Sequence, residues 1–318
     1  MVLGIDIGGT FTKIGLVNRQ GVCRGSKIIR TEAHQPFDTY KERLKTEIDL
    51  LLGSHLERQE LVAIGVGAPN ANAHTGDMER PPNFSWGDRV PLVTTFQEWY
   101  RVPVSLANDA NAAALGERYY GSGKDLEHFV VLTLGTGLGS GIIVNGKLLI
   151  GAHGMAGELG HVNVVAGGRQ CKCGLRGCLE TYASVTGIKR TIFELLSVRT
   201  ENSPLRDLSF NELNGEMIAN MALEGDAIAL EAFKRTAAIL GAKMADTAAH
   251  LDPQAFILSG GLSKAGDILL TPVVESMEKN LFNAYRGKVK VLISKASRDQ
   301  AVLGPAALAW MHFERASP

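Results

Sequence analysis

Cysteine is scarce in this chain, with 4 among 318 residues, and so few thiols in so long a chain exclude the small disulfide-stapled class. No apolar run approaches the ~20 residues that a bilayer-spanning helix needs. The opening stretch "MVLGIDIGG" has neither the basic start nor the long apolar segment of a secretory signal. An excess of charge is also missing. The 33 basic and 33 acidic residues cancel, which leaves no basic face for nucleic acid or an anionic membrane. Together these absences describe a cytoplasmic globular protein whose thiols stay reduced. Its length suggests two domains.

Three of the four cysteines nevertheless fall together, in "GELGHVNVVAGGRQCKCGLRGCLE" (157–180). Cys171, Cys173 and Cys178 follow the spacing C-x-C-x4-C, with His161 upstream. Three thiolates and one imidazole form a closed tetrahedral set of the kind that holds structural zinc. Gly174 and Gly177 let the backbone turn tightly between the ligands. Unligated loop cysteines are the alternative. Cys23, alone in an expected strand, reads as an inert packed thiol.

Glycine is plentiful, 36 of 318 residues or about 11% against a usual ~7%. It is clustered, which points to backbone-built binding loops. Strands are expected at 2–7, 13–17, 22–30, 61–67 and 102–107, with a long amphipathic helix over 38–58 on Leu44, Ile48, Leu51 and Leu52. A hairpin at 129–144 repeats the strand, glycine turn and strand of the N-terminus. Helices are expected at 180–198, 211–222 and 226–250, then strand 255–261, helix 264–283, strand 289–294 and a last helix from Gln300. Strands alternating with helices make an α/β protein, and the recurring hairpin implies two similar halves.

"GIDIGGTFTK" (4–13) runs a strand into a glycine turn followed by Thr10, Thr12 and Lys13. Backbone N–H groups of Gly8 and Gly9 can approach phosphate oxygens closely there, and Asp6 at the strand end suits Mg²⁺ through water. Such a turn alone equally fits a plain hairpin. "LGTGLGSG" (134–141), with Gly135, Thr136, Gly137 and Gly139, and "LSGGLS" (258–263), with Gly260 and Gly261, supply two more such loops. Three glycine loops on two halves suit a nucleotide held in the cleft between them.

"LANDANAAALGE" (106–117) places Asn108 and Asp109 where a strand meets a helix. One residue suffices as the N-cap, so the other is spare. An Asp facing phosphate loops can take the proton of an attacking hydroxyl. The helix dipole there favours its ionised form. Glu158, His161 and Glu180 bracket the cysteine loop and offer acceptors for sugar hydroxyls, with His161 able to serve the metal through one ring nitrogen and a hydroxyl through the other.

Over essentially its full length the chain resembles sugar kinases of the ROK family (repressors, open reading frames and kinases). "DIGGTFTK" is similar to the family's first phosphate loop, "LGTGLGSG" to its second, and "NDANAAALGE" to its catalytic segment. "GELGH" with "CKCGLRGCLE" resembles the family signature. The resemblance implies an α/β fold of the two-domain actin-like ATPase type (sugar kinase/Hsp70-like), with a duplicated core and a zinc loop. The domains are expected at 1–118, with the helix 300–318 packing back on it, and at 119–299. It further implies Asp109 as catalytic base and sugar contacts from Asn83, Asn108, Asp109, Glu158, His161 and Glu180. Zinc would sit on His161, Cys171, Cys173 and Cys178, and ATP with Mg²⁺ on Asp6, Gly8, Gly9, Thr10, Lys13 and the two later glycine loops. The implied reaction is phosphorylation of a hexose at its 6-hydroxyl. Glucose comes first, and mannose, fructose or an N-acetylhexosamine are the alternatives. "PPNFSW" (81–86) resembles glucokinase-like members, whereas Asn70 stands where the family usually has Gly. A sugar-responsive repressor is expected to carry a helix-turn-helix module ahead of the first phosphate strand, which here starts at Val2. The expected assembly is a homodimer or homotetramer.

Overall fold

The computed structural model describes residues 1–55, 60–81, 84–295 and 301–316. In the first half, β1 (Val2–Ile7), β2 (Phe11–Val17) and β3 (Cys23–Arg30) form an antiparallel meander, followed by α1 (Phe37–His55). β4 (Ala63–Ala68) and later β8 (Val104–Asn108) continue the sheet in parallel, giving the order β3-β2-β1-β4-β8. Between them lie three short strands, β5 (Ala71–Asn72), β6 (Asp77–Glu79) and β7 (Arg89–Val90), and the helix α2 (Leu92–Tyr100). β1 and β4 are buried along nearly their whole length, as inner strands covered on both faces must be. α3 (Asp109–Tyr120) follows β8, capped by the Asn108 side chain, whose Oδ1 accepts the Ala110 N–H at 2.7 Å.

The second half repeats the plan. β9 (Phe129–Leu134), β10 (Leu138–Val144) and β11 (Lys147–Leu148) form the meander. After α4 (Glu180–Ala183), α5 (Val185–Val198), α6 (Gly215–Leu223) and α7 (Ala227–Leu251) comes the parallel strand β12 (Ala255–Ser259). α8 (Asp267–Asn280) then leads to β13 (Lys290–Ile293) and α9 (Leu303–Ala316). The order β11-β10-β9-β12-β13 matches the first sheet strand for strand.

The two halves exchange their last helices. α3 leaves the first sheet yet lies against β9 and β10, while α9 leaves the second and lies against β1 and β4; the two helices also pack on each other. Glycine makes these approaches possible. A Cβ on Gly65 of β4 would stand 1.8 Å from the Pro305 carbonyl oxygen, and one on Gly141 of β10 would stand 2.6 Å from the Ala114 methyl. Two sheets bridged by a pair of helices leave a cleft between them.

Some local expectations change. The helix expected over 180–198 breaks at Ser184, whose hydroxyl accepts the Gly187 N–H at 3.0 Å and caps α5 as a new start. β5–β7 and α2 were not visible as periodic patterns. Cys23 begins β3 as expected but is exposed rather than packed, because β3 is the sheet edge. Gln300 and residues 56–58, where two helices were expected to begin and end, lie outside the described residues. No helix among the described residues is long and apolar enough to cross a membrane.

Candidate active site

The cleft holds a cavity of about 950 Å³. Gly135 and Thr136 of the β9–β10 turn and Gly260 and Gly261 after β12 line it, so two of the glycine loops meet at one space, and the first hairpin reaches it through Lys13 of β2. Its inner wall is the α3–α9 pair at Ala113, Gly116 and Gly304. Its far end is Val185, Asn214, Gly215, Glu216 and Lys264, which sequence reasoning missed because none carries a motif. Asp6, Gly8, Gly9, Thr10, Gly137 and Gly139 stand outside this lining. Gly137 has a packing reason of its own, since a Cβ there would fall 2.2 Å from a Glu180 carboxylate oxygen.

Asp109 is the first residue of α3, and Asn108 is the cap, so the cap leaves the Asp109 carboxyl available. Asp109 keeps surface exposure, yet protein atoms crowd its carboxyl. That desolvation raises its pKa above the usual carboxylate value and outweighs the Ala110 N–H that its Oδ1 accepts at 2.8 Å. Burial thus opposes the helix dipole, which favours the ionised form, and the net shift is upward. Asp6, at the end of β1, is pushed up to about 6 by burial, against the pull of Lys13 beside it on β2 and with the added push of Asp109. On the other side Glu158 is raised by burial, lowered by His161, and raised again by Asp109 and Glu180. Asp109 is thus within electrostatic reach of both Asp6 on the first hairpin and Glu158 beside the cysteine loop.

That loop is fixed from β10 and from within. The Ser140 hydroxyl donates to the Gly157 carbonyl and accepts the Leu159 N–H at 3.2 Å. A short 3-10 turn over Leu159–His161 follows Glu158. Glu180 accepts the Leu138 N–H at 3.0 Å with one oxygen, while its other oxygen faces the Cys171 thiol at 3.6 Å. The ligand atoms of His161, Cys171, Cys173 and Cys178 all lie within 4.8 Å of one another. Cys173 and Cys178 sulfurs are 3.7 Å apart, and His161 Nδ1 is 3.8 Å from the Cys171 sulfur. A tetrahedral zinc–thiolate site with ~2.3 Å bonds has edges of about 3.8 Å, so spacing and donor set both fit zinc. The other ring nitrogen, Nε2, faces the Glu158 carboxylate at 4.0 Å, on the cleft side of the loop.

Asn83, expected to touch sugar, lies outside the described residues. Its neighbours are placed: Trp86 packs on Tyr40 with ring centroids 4.5 Å apart and donates its indole N–H to the Gln35 carbonyl at 3.0 Å. Asn70 adopts φ +51° and donates its amide to the Arg80 carbonyl at 3.1 Å. Asn enters this left-handed region more readily than most residues, so the backbone path a glycine would allow is kept.

Comparison with known proteins agrees with this arrangement. Glucokinase of Halalkalibacterium halodurans is 35% identical over 306 residues, covering 95% of this chain and 92% of that protein. The crystal structure of a ROK family glucokinase from Streptomyces griseus, in complex with glucose and AMPPNP, is similar with a TM-score of 0.84 at 32% identity, over 98% of this chain and 99% of that chain. A ROK family transcriptional regulator, a homologue of the E. coli MLC protein, has a TM-score of 0.86 at 26% identity, over 96% of this chain and 78% of that chain. The ROK family pattern itself matches residues 2–311. With the duplicated sheets, the glycine loops around one cavity and the four-ligand loop, that match makes this chain a member of the ROK family.

Proposed function

We propose that this protein transfers the γ-phosphoryl group of ATP to the 6-hydroxyl of glucose. The observation that carries the reading is that Asp109 is electrostatically coupled both to Asp6, on the hairpin that bears Lys13, and to Glu158, beside His161 on the cysteine loop. Likeness to glucokinases along the whole chain supports the choice of reaction and of sugar. In phosphoryl transfer to an alcohol, a positioned base and neutralised phosphate charge are most of what a protein supplies.

The phosphates rest on Lys13, Gly135, Thr136, Gly260 and Gly261, and the nucleoside extends towards Asn214, Glu216 and Lys264. Gly8, Gly9, Thr10, Gly137 and Gly139 shape the two hairpins. Mg²⁺ suits one buried carboxylate with waters and phosphate oxygens, so Asp6 would hold it, and it would neutralise phosphate charge. Sugar hydroxyls meet Glu158, His161 Nε2, Glu180 and the Asn108 amide, whose oxygen is committed to the cap. Asn83 completes the set from the first half. Zinc on His161 Nδ1 and the three thiolates would fix the loop that carries these acceptors. The working division is 1–118 with 300–318 as one lobe and 119–299 as the other. A coupled assay of ATP turnover over glucose, mannose, fructose and N-acetylhexosamines tests the substrate. Glucose should give the highest kcat/KM, and a preference for another sugar would overturn that assignment.

A further inference from the structure

Beneath the first phosphate hairpin lies a row of buried hydroxyls that the reaction itself does not use. Thr12, Thr31 and Tyr40 are fully buried. The Thr31 hydroxyl donates to the Gly8 carbonyl at 2.6 Å. Thr12 Oγ1 is 3.0 Å from Thr31 Oγ1 and 2.8 Å from the Tyr40 hydroxyl oxygen.

A hydroxyl has one proton, and this fixes the direction of the whole row. Thr31 spends its proton on Gly8, so towards Thr12 it can only accept. Thr12 must then donate to Thr31 and accept from Tyr40. The chain reads Tyr40 to Thr12 to Thr31 to the Gly8 carbonyl, every proton pointing the same way. Such a row polarises its members in sequence, and burial strengthens each link.

Its end point matters because of peptide geometry. The Gly8 carbonyl and the Gly9 N–H share one planar trans unit and point in opposite directions; among the described residues no peptide bond is cis. Holding the carbonyl inward on Thr31 therefore turns the Gly9 N–H outward, at an exposed residue on the tip of the hairpin whose Lys13 lines the cavity. The base of the row is rigid as well. Tyr40 is stacked on Trp86, and Arg43 of the same helix donates to the Thr31 carbonyl at 3.1 Å.

We propose that Tyr40, Thr12 and Thr31 are positioning residues that preset and polarise the Gly9 N–H as a donor to the terminal phosphates of the nucleotide. This rests on the nucleotide reading above. The sequence hides the row, because its three members come from a strand, a post-strand turn and a helix.

Calorimetric titration with Mg·AMPPNP and with AMP, which lacks the β- and γ-phosphates, tests it without requiring turnover. Thr31→Val should weaken AMPPNP by about 3- to 10-fold, the size expected for one ordinary hydrogen bond, and leave AMP and glucose affinities within about twofold. Thr31→Ser keeps the hydroxyl and should restore AMPPNP binding. Tyr40→Phe should act in the same direction but add nothing to Thr31→Val in the double variant, since its effect is delivered through Thr31. Equal losses for AMPPNP and AMP, failure of Thr31→Ser to rescue, or additive effects would each overturn the proposal. Wild-type protein that binds AMPPNP but phosphorylates no hexose would instead contradict the proposed reaction while leaving this row in place. Wild-type protein that binds no AMPPNP would overturn both.

Discussion

Asp6 shows how a single buried carboxyl can weigh on the fold. Buried at the end of β1, it binds its proton more tightly in the folded chain than in the unfolded one, with a pKa of about 6 against 3.8. Its contribution therefore favours folding below pH 3.8 and is lost as pH rises to about 6. At neutral pH an ionised Asp6 costs about 1–3 kcal/mol even with Lys13 beside it. Asp6→Asn should thus raise the melting temperature of the ligand-free protein at pH 7, with the gain fading below about pH 4, and should weaken Mg·ATP binding. Thermal unfolding across that pH range checks it, and a lower melting temperature at pH 7 would count against the burial argument. Residue chemistry was only half legible in the sequence. The place of Asp109 at a helix start follows from the "ND" pair, but the crowding that raises its pKa is a matter of packing that no local pattern reports.

At the scale of elements, the glycine hairpins and the cysteine loop were the most legible parts, because each concentrates its signal within a few residues. β5–β7 span two or three residues each, too short for any periodicity to register. The break at Ser184 was hidden for a different reason: apolar spacing continues through it, and only the hydroxyl's cap to Gly187 distinguishes a restart from a continuation. Glu216 and Lys264 reach the cavity because α6 and the turn after β12 are brought together, which local pattern cannot reveal. The cysteine loop makes its own prediction. Glu180 touches both the β9–β10 turn and Cys171, and Glu158 precedes the turn that holds His161. Purified protein should contain about one zinc per chain, and Cys173→Ser should lose it. Glucose affinity should then fall further than AMPPNP affinity in calorimetric titrations. Zinc loss with unchanged glucose binding would show that the loop does not shape the sugar site.

The described residues form two copies of one sheet plan joined by exchanged helices, each copy with its own glycine turn. At the α3–α9 crossing a Cβ on Gly304 would fall 2.2 Å from the Ala112 carbonyl oxygen, so the helices meet backbone to backbone. His74 Nε2 of the first half lies 3.3 Å from the Gly151 carbonyl of the second. Glucose should draw the halves together and exclude water from the γ-phosphate, so small-angle scattering should show a smaller radius of gyration at saturating glucose. Unchanged scattering with glucose bound would argue against a hinge. All these features converge on one carboxyl group. Asp109→Asn keeps the size of the side chain and its place beside the Asn108 cap but removes the proton acceptor. The decisive measurement is glucose-dependent ATP turnover by the wild type and this variant, alongside calorimetric affinities for glucose and AMPPNP. Turnover should fall by ~10²-fold or more, in the range of a lost general base, while both ligands still bind. Near-wild-type turnover in Asp109→Asn would contradict the assignment of Asp109 as the base and leave it only the first residue of α3.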